Sequence, residues 1–360
     1  MRHNNFFFER ISNYTILLFI VFIFFIKLVF MILIQTGFLK LSFGGGSDAN
    51  YYNSYAEGYI NVAVNSWPVI LRYLNNLGLY SRELISYLLF FLDIIIIPLM
   101  TVKISGLKIK DNQKYYFYAL LICLMYPTLL FYSTDVYRDV FMVFVFLFGC
   151  VIVKKCLSSS NIFMFLFLFA LSVSIGFILL DLRPYLGYAF LLSLLLWRIS
   201  FNKKRIIFFC ILYFLILFLA NYIGLLDELT EYRAGFEDGG GGSTLGLNFS
   251  NPVMFIPNFI LSILGQLFGL YVTNPLAVIL FIIETIPFLF MFIYVIKNIK
   301  LADKFIRFLI IFFMLYGSVW LIGNDNLGTA LRLRFYNYFA IYICFFYILR
   351  LKSLSIKKGH

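Results

Sequence analysis

Arginine and aspartate occur together at several points where an apolar segment of the chain begins or ends. Arg138 and Asp139 open one apolar segment, and Arg183 lies in a short turn between two others. Arg332 and Arg334 precede the last apolar segment. A guanidinium offers a planar fork of N–H donors to phosphate or carboxylate oxygens, and a nearby carboxylate can accept a proton. These residue types indicate a site for an anionic, phosphate-bearing ligand.

Membrane-spanning helices must position these residues. The 360-residue chain is 62% hydrophobic and 13% charged, whereas soluble domains are about 45–50% apolar and about 25% charged. This composition excludes a soluble enzyme, a disordered chain and a secreted disulfide module. Because a spanning helix needs about 20 apolar residues, we predict an all-α polytopic protein with residues 1–360 in a single integral membrane domain. Ten predicted spans cover residues 14–36, 84–102, 115–132, 140–153, 162–180, 185–197, 206–225, 276–296, 305–322 and 335–349.

The basic residues are unevenly distributed between the two sets of helix ends. The formal net charge is +12, from 29 Lys+Arg and 17 Asp+Glu. One set of ends carries 20 of the cations, mostly lysine, and the other carries eight, of which seven are arginine. The positive-inside rule makes the first set cytoplasmic and places both termini inside. Topology does not require arginine outside, so we expect the functional site to lie at the arginine-rich external end.

Two predicted external loops are long enough to contain structure of their own. The first, residues 37–83, contains an amphipathic segment from Trp67 to Leu74, which we predict to be a helix in the membrane interface. The second, residues 226–275, contains the apolar stretch 253–268. We interpret that stretch as re-entrant or interfacial, because counting it as a span would place the later lysine-rich loops outside.

Three short motifs resemble those of bacterial polysaccharide-assembly membrane proteins. The Gly-rich run before an aspartate in the first external loop resembles multi-pass glycosyltransferases of the GT-C type. The stretch opening the fourth predicted span is similar to a Ser-x-x-x-x-(Lys/Arg)-Asp motif, and the stretch before the last span resembles Arg-x-Arg-(Tyr/Phe). Together they resemble an oligosaccharide repeat-unit polymerase of the Wzy kind. The motif residues are Gly46, Ser47, Asp48, Ala49, Asn50, Tyr51 and Tyr52; Tyr132, Ser133, Thr134, Asp135, Val136, Tyr137, Arg138 and Asp139; and Arg332, Leu333, Arg334, Phe335 and Tyr336.

This resemblance implies a reaction at the extracytoplasmic face of a bacterial cytoplasmic membrane. A growing glycan would move from its undecaprenyl-pyrophosphate carrier to another lipid-linked repeat unit, which builds an O-antigen or capsule. Asp48 is the first choice for the base that deprotonates the acceptor, and Asp139 is the second. Four arginines would bind the pyrophosphate, and four aromatic residues would contact sugar or anchor the chain at the membrane interface. These are Arg138, Arg183, Arg332 and Arg334, and Tyr51, Tyr52, Trp67 and Tyr336.

The sequence requires no cofactor, and it indicates lipid partners rather than nucleic acid. A carboxylate-bound divalent cation is an alternative that the arginines could replace. The only histidines are His3 and His360, so the external histidine expected of related O-antigen ligases is missing. The expected partners are an undecaprenyl-pyrophosphate-linked oligosaccharide and the lipid bilayer, with a chain-length regulator membrane protein as a further candidate.

Two other classes of function stay open. A GT-C glycosyltransferase that uses a polyprenyl-phosphate sugar would share Asp48 and the arginines but add a single sugar. A flippase or transporter for lipid-linked oligosaccharides would often show internal repeats and a binding site near the membrane centre. No repeat is evident in the sequence, and the polar residues gather at one set of ends, which favours an enzyme.

Three charged residues fall near the middle of predicted spans, where a charge is costly and often functional. Lys27 and Asp93 lie at similar depth, and we predict that they form an ion pair. Glu284 precedes a proline by three residues, and we expect it to be protonated or to line a cavity that a lipid enters.

Overall fold

The computed structural model describes residues 11–39, 48–200, 203–238, 244–272 and 274–358. The Gly-rich run before Asp48 and both histidines lie outside these residues. The described chain is helical throughout, without strands. The helices are α1 (Asn13–Gln35), α2 (Asp48–Ala56), α3 (Ser66–Asn76), α4 (Arg82–Phe91), α5 (Ile97–Ser105), α6 (Ile109–Leu124), α7 (Pro127–Ser133), α8 (Arg138–Ser158), α9 (Ile162–Leu182), α10 (Pro184–Leu196), α11 (Lys203–Tyr222), α12 (Asp227–Asp238), α13 (Phe255–Ser262), α14 (Pro275–Leu280), α15 (Ile286–Lys297), α16 (Lys304–Gly323), α17 (Leu327–Leu333) and α18 (Phe335–Lys358).

The structure supports fewer membrane-spanning helices than the ten we predict. Six helical segments of the described chain are long and apolar enough to cross a membrane, and two bent helix pairs raise the number to eight. The predicted span 185–197 corresponds to α10, which has only 13 residues. The six segments are Asn13–Gln35, Arg82–Ser105, Arg138–Ser158, Ile162–Leu182, Pro275–Lys297 and Lys304–Gly323, and the bent pairs are Ile109–Leu124 with Pro127–Ser133 and Phe208–Tyr222 with Asp227–Gly235.

Helix α18 is the central helix of the bundle. All its residues from Phe335 to Leu349 are buried, and it packs against α5, α8, α15 and α16. A helix that is apolar on every side belongs in the interior, yet the first turns of α18 carry polar groups. Asn337 accepts a hydrogen bond from the Trp320 indole N–H at 2.9 Å and donates to the Phe313 carbonyl at 2.9 Å. The predicted span 335–349 therefore forms the first part of α18 and is surrounded by neighbouring helices along its whole length.

A one-residue junction joins α9 to α10 and holds Arg183. Arg183 has an extended backbone between the two helices, and Pro184 opens α10 at a position where its missing N–H costs nothing. The two helices cross closely, because a Cβ on Gly187 would lie 2.3 Å from the Leu180 Cα. The tight turn predicted at this point is confirmed, and it fixes Arg183 at the apex of the helix pair.

The amphipathic segment of the first external loop is confirmed as a helix, α3, which packs against α2. Asn65 caps α3 by accepting a hydrogen bond from the Trp67 N–H at 3.0 Å. Arg72 holds the connection between the two helices, because its Nε donates to the Tyr55 carbonyl at 2.9 Å and its Nη2 to the Ile60 carbonyl at 2.8 Å. These contacts fix the orientation of α2, whose first residue is Asp48.

Three π-helical turns interrupt the described helices, and each places a polar residue in the interior. They are Leu92–Ile96, Ile263–Leu267 and Phe281–Thr285. Asp93, Gln266 and Glu284 lie in these turns, and each is at most 1% exposed. The extra residue of a π turn changes the register of the helix faces, and such turns are frequent at functional sites.

The predicted pair between Lys27 and Asp93 is confirmed. The Lys27 ammonium lies 2.8 Å from an Asp93 carboxylate oxygen, and both side chains are buried. The pair joins α1 to the π turn between α4 and α5. The charge of each residue is compensated by the other, which makes their burial tolerable.

The apolar stretch 253–268 forms a helical segment over Pro252–Leu267 that contacts α11 and α16. Phe255, Phe259 and Ser262 of this segment are buried. It is shorter than any of the six candidate spans, so the chain does not gain a seventh long apolar helix here.

Candidate functional site

Asp48 and Arg332 form an ion pair although they are far apart in sequence. Asp48 opens α2, and Arg332 lies in the last turn of α17. The side chain of Asp48 is 42% exposed and that of Arg332 is 21% exposed. A ligand can therefore reach this pair from outside.

Asp139 and Arg183 form a second pair that is almost completely buried. The Arg183 Nη2 lies 3.2 Å from an Asp139 oxygen, and the two side chains are 4% and 1% exposed. The other two guanidinium nitrogens of Arg183 are buried without a hydrogen-bond partner. An unpaired buried donor costs about 1–3 kcal/mol, so the structure retains donors that a bound anion would satisfy.

The two ion pairs belong to one electrostatic cluster. Burial by itself would lower the pKa of Arg332, but the nearby carboxylates of Asp139 and Asp48 contribute to raising it. Arg183 acts on Arg332 in the opposite direction, as a like charge does. All of these groups are therefore within electrostatic range of one another.

Arg138 completes this arginine–aspartate cluster, which we define as Asp48, Arg138, Asp139, Arg183 and Arg332. Arg138 donates to the Leu182 carbonyl at 2.8 Å, at the end of α9. With three guanidinium groups and two carboxylates, the cluster carries a formal net charge of +1. Such a charge favours an anion, and Asp48 is the more exposed of the two carboxylates.

Tyr52 and Tyr336 are the predicted sugar-binding residues that border the cluster. Burial raises the pKa of Tyr52, Arg138 lowers it, and the neighbouring Asp139 and Asp48 charges raise it. The Tyr336 hydroxyl is buried without a hydrogen-bond partner, and it interacts with Arg183, Asp139 and Arg138. Both rings are buried, so in this structure their hydroxyl groups face the cluster's charges while their ring faces are covered.

Trp67 and Tyr51 make their hydrogen bonds to backbone groups. The Trp67 ring is 4% exposed, stacks on Phe141 with 5.0 Å between ring centroids, and donates its indole N–H to the Val136 carbonyl at 2.8 Å. Tyr51 hydrogen-bonds to the Val62 carbonyl and accepts from the Val64 N–H at 3.2 Å. Both residues therefore stabilise the segment that contains α2 and α3, and the Trp67 ring has no open face for a sugar in this structure.

Arg334 is not brought together with the other predicted pyrophosphate ligands. It forms a buried ion pair with Glu284 at 2.5 Å, and the second Glu284 oxygen accepts the Thr128 N–H at 2.9 Å and the Thr128 hydroxyl at 2.5 Å. Side chains two positions apart along a helix do not face each other. Arg332 in the last turn of α17 and Arg334 at its C-cap therefore point in different directions. Sequence reasoning missed this pairing, because Glu284 was placed at mid-span and Arg334 at a span edge.

Arg82 was also missed as a positioning residue. It holds Asp135 in a two-pronged contact, with Nε and Nη2 at 2.8 and 2.6 Å from the two carboxylate oxygens. The same guanidinium donates to the Asn50 side chain at 2.8 Å. Arg82 thereby ties the motif that contains Arg138 to α2. The sequence signal for this contact was Asp135 itself, an acidic residue of the motif that needed a basic partner.

No three His, Cys, Asp or Glu side chains of the described ranges are grouped so that they could share a metal ion. The carboxylates of the cluster are paired with arginines.

The helices define a multi-pass, all-helical membrane protein whose buried charges gather into distinct sites. No protein-family model matches the sequence, and comparison with the curated proteins and with the solved structures gave no significant match.

Proposed function

We propose that this protein is a glycosyltransferase that polymerises polyprenyl-pyrophosphate-linked oligosaccharide repeat units into a bacterial surface polysaccharide. The observation that supports this proposal most is the arginine–aspartate cluster. It combines a reachable carboxylate, a net positive charge and buried guanidinium N–H groups without partners. An enzyme that releases polyprenyl pyrophosphate needs these features together. Negative charge develops on the leaving group while the acceptor hydroxyl loses its proton.

The distribution of basic residues supports the orientation that this reaction needs. We propose that the chain crosses the cytoplasmic membrane about ten times with both termini inside, so that short helices such as α10 also cross. The 20 cations of the lysine-rich ends would then face the cytoplasm. The cluster would lie at the extracytoplasmic end, with α3 in the interface, which is where lipid-linked repeat units await polymerisation.

The proposed reaction forms one glycosidic bond and breaks the bond between the anomeric carbon of the donor sugar and an oxygen of its phosphate. A hydroxyl of the acceptor sugar attacks the anomeric carbon of the donor, and the electron pair of the broken carbon–oxygen bond leaves with the polyprenyl pyrophosphate. Asp48 accepts the hydroxyl proton, because it is the exposed carboxylate, and the buried Asp139 orients Arg183. Arg138, Arg183 and Arg332 stabilise the departing negative charge.

The test is a reaction with the purified protein in lipid nanodiscs and one lipid-linked repeat unit as both donor and acceptor. We expect a ladder of products, each longer by one repeat, together with free polyprenyl pyrophosphate. A product longer by a single sugar would instead identify a monosaccharide transferase. Movement of the intact lipid across vesicle membranes without a new glycosidic bond would identify a flippase. A family of repeat-unit lipids must be supplied, since the chain does not reveal the sugars.

A further inference from the structure

A largely apolar cavity of about 530 Å³ is lined by Tyr132 and Leu331, which are neighbours of Arg332 in the arginine–aspartate cluster. Its walls come from α1, α7, the turn after α13, α14 and α17. Sites for small organic ligands typically measure about 300–1,000 Å³, with mostly apolar walls and a few polar groups. The size and lining therefore fit an apolar ligand or the apolar part of a larger one.

Two walls of the cavity belong to candidate membrane spans. Ile26 and Phe30 come from α1, and Leu276 and Leu280 come from the span that begins with α14. Ile26 and Leu276 are 48% and 40% exposed although they are apolar. Exposed apolar side chains on spanning helices contact lipid, so a ligand entering between these two spans would come from the bilayer.

The cavity adjoins the cluster at Arg332. Tyr132 lines the cavity, and the Arg332 guanidinium lies 5.7 Å from the centre of its ring. Leu331, the residue before Arg332, also lines the cavity. The Arg332 Nε is buried without a hydrogen-bond partner. An apolar chain in the cavity would thus place an attached phosphate beside a guanidinium that retains a free donor.

The wall formed by Arg334 is electrically neutral. Glu284 balances the charge of Arg334 at 2.5 Å. Gly269 packs against this pair so closely that a Cβ there would lie 3.3 Å from the Arg334 Nη1 and 3.2 Å from the Thr285 hydroxyl. The cavity therefore has one closely packed wall, where Arg334 is held by the buried Glu284, and one edge near Arg332, whose partner Asp48 is 42% exposed. This combination matches a ligand that has an apolar chain and an anionic head.

We propose that the cavity receives the hydrocarbon chain of the polyprenyl-pyrophosphate-linked donor and thereby sets its pyrophosphate beside Arg332. This inference rests on the proposed function and adds the place where the lipid binds. A cavity of about 530 Å³ holds only the isoprene units next to the phosphate. The remainder of the chain lies in the bilayer between α1 and the span that begins with α14.

The test uses a polyprenyl phosphate with a photoreactive diazirine in the isoprene units next to the phosphate. The full-length protein in nanodiscs is illuminated with this probe, and the labelled peptides are mapped by mass spectrometry. Ala277→Trp fills the cavity, and Val278→Trp is its control on the same helix, since Val278 is exposed and does not line the cavity. We expect labelling of α14 or α17 to fall about tenfold in Ala277→Trp and to stay unchanged in the control.

A second pair of variants keeps the test decisive if Ala277→Trp does not fold. Ile26→Trp narrows the cavity from α1, and Phe25→Trp adds the same ring at an exposed neighbour outside the cavity. Equal labelling of the cavity variants and their controls would overturn the inference. Equal displacement of the probe by excess phosphatidylglycerol would also overturn it, because the cavity would then accept any anionic lipid.

Labelling requires no turnover, so the two proposals can fail separately. Cavity-dependent labelling of a protein that forms no product ladder would retain the lipid site and reject the polymerase. A full product ladder from Ala277→Trp with undiminished labelling would reject the lipid site and leave the polymerase standing.

Discussion

Two arginine–aspartate sites of this protein differ in how many guanidinium nitrogens lack a hydrogen-bond partner. Arg233 pairs with Asp325 and also donates to the Leu247 carbonyl at 2.9 Å and the Asn324 carbonyl at 2.7 Å. The Nη1 that donates to the Asn324 carbonyl also donates to the Leu321 and Ile322 carbonyls. Arg183 of the arginine–aspartate cluster has one carboxylate contact at 3.2 Å and two buried nitrogens without partners.

The difference separates an anchor from a binding site. All guanidinium nitrogens of Arg233 are engaged, and the second Asp325 oxygen accepts the Gly246 N–H at 2.9 Å. This arrangement joins α12, the following loop and the end of α16, and nothing is left for a ligand. In the cluster, buried donors are left open beside an exposed carboxylate. An arginine at a helix end of a membrane protein is thus not by itself a sign of function; the sign is a guanidinium donor without a hydrogen-bond partner.

The largest effect is expected at the exposed carboxylate of the cluster. Asp48→Asn keeps the shape of the side chain and a hydrogen bond to Arg332 but removes the base. Loss of a general base lowers the rate by about 10²–10⁴-fold, so initial rates of chain elongation should fall by that factor with little change in thermal stability. Asp135→Asn, which alters the carboxylate held by Arg82, is the matched control. Wild-type rates for Asp48→Asn would exclude Asp48 as the base.

Arg183→Lys tests whether the open donors of the cluster act on the leaving group. Lysine keeps the charge next to Asp139 but loses the planar fork. Removing one preorganised donor from a developing negative charge typically costs about 10²–10³-fold in rate. We expect a loss of that size in the turnover number, with normal folding by size-exclusion chromatography. A change confined to the substrate KM would mean that Arg183 binds the ground state and the transition state equally.

Arg233→Met should change stability rather than chemistry. It leaves the buried Asp325 carboxylate without its counter-charge, which costs about 3–5 kcal/mol. Thermal unfolding of the protein in detergent should therefore shift to clearly lower temperature, whereas the rate per folded molecule should be retained. A folded variant with a rate as low as that of Arg183→Lys would remove the distinction between anchor and binding site.

Lys27 and Asp93 provide a further buried pair, which includes no residue of either site. Replacing Lys27 alone with Met leaves a buried charge and should destabilise the protein strongly, by about 3–5 kcal/mol. The double variant Lys27→Met with Asp93→Leu should be near neutral, because apolar residues often replace a buried ion pair at little cost. Unfolding curves of the single and double variants measure the coupling. If elongation stops in a stable double variant, the pair has a function beyond packing.

The smallest effect is expected at Trp67. Trp67→Phe loses the hydrogen bond to the Val136 carbonyl, which is worth about 0.5–1.5 kcal/mol. A small decrease in thermal stability and an unchanged KM for the lipid-linked repeat unit are expected, because protein covers the ring. An increase in KM of tenfold or more, which is about 1.4 kcal/mol, would instead show that Trp67 contacts sugar.

The helical class and several local features were predictable from the sequence. The amphipathic helix near Trp67, the turn at Arg183 and the pair of Lys27 with Asp93 follow from residue patterns and depth, and the structure confirms them. The number of spans was less predictable: six helices of the described chain, or eight with the two bent pairs, are long and apolar enough to cross a membrane. An apolar segment can also form a short helix such as α10 or a helix buried on all sides such as α18.

The pairing of the arginines was only partly predictable. Arg332 and Arg334 belong to one motif, yet Arg332 pairs with Asp48 and Arg334 with Glu284. A motif describes neighbours along the chain, whereas an ion pair depends on which helices meet. The pairing of Arg82 with Asp135 and of Arg233 with Asp325 was likewise decided by distant elements.

The sequence by itself determined that this is a helical membrane protein whose polar residues are concentrated near helix ends. Hydropathy and charge act locally along the chain, so composition and spacing are sufficient for these conclusions. Only the tertiary structure decided which arginines are saturated anchors, which retain open donors, and where an apolar cavity meets the cluster. Those properties depend on contacts between residues as distant as Asp48 and Arg332, and only the packing of the whole bundle brings such residues together.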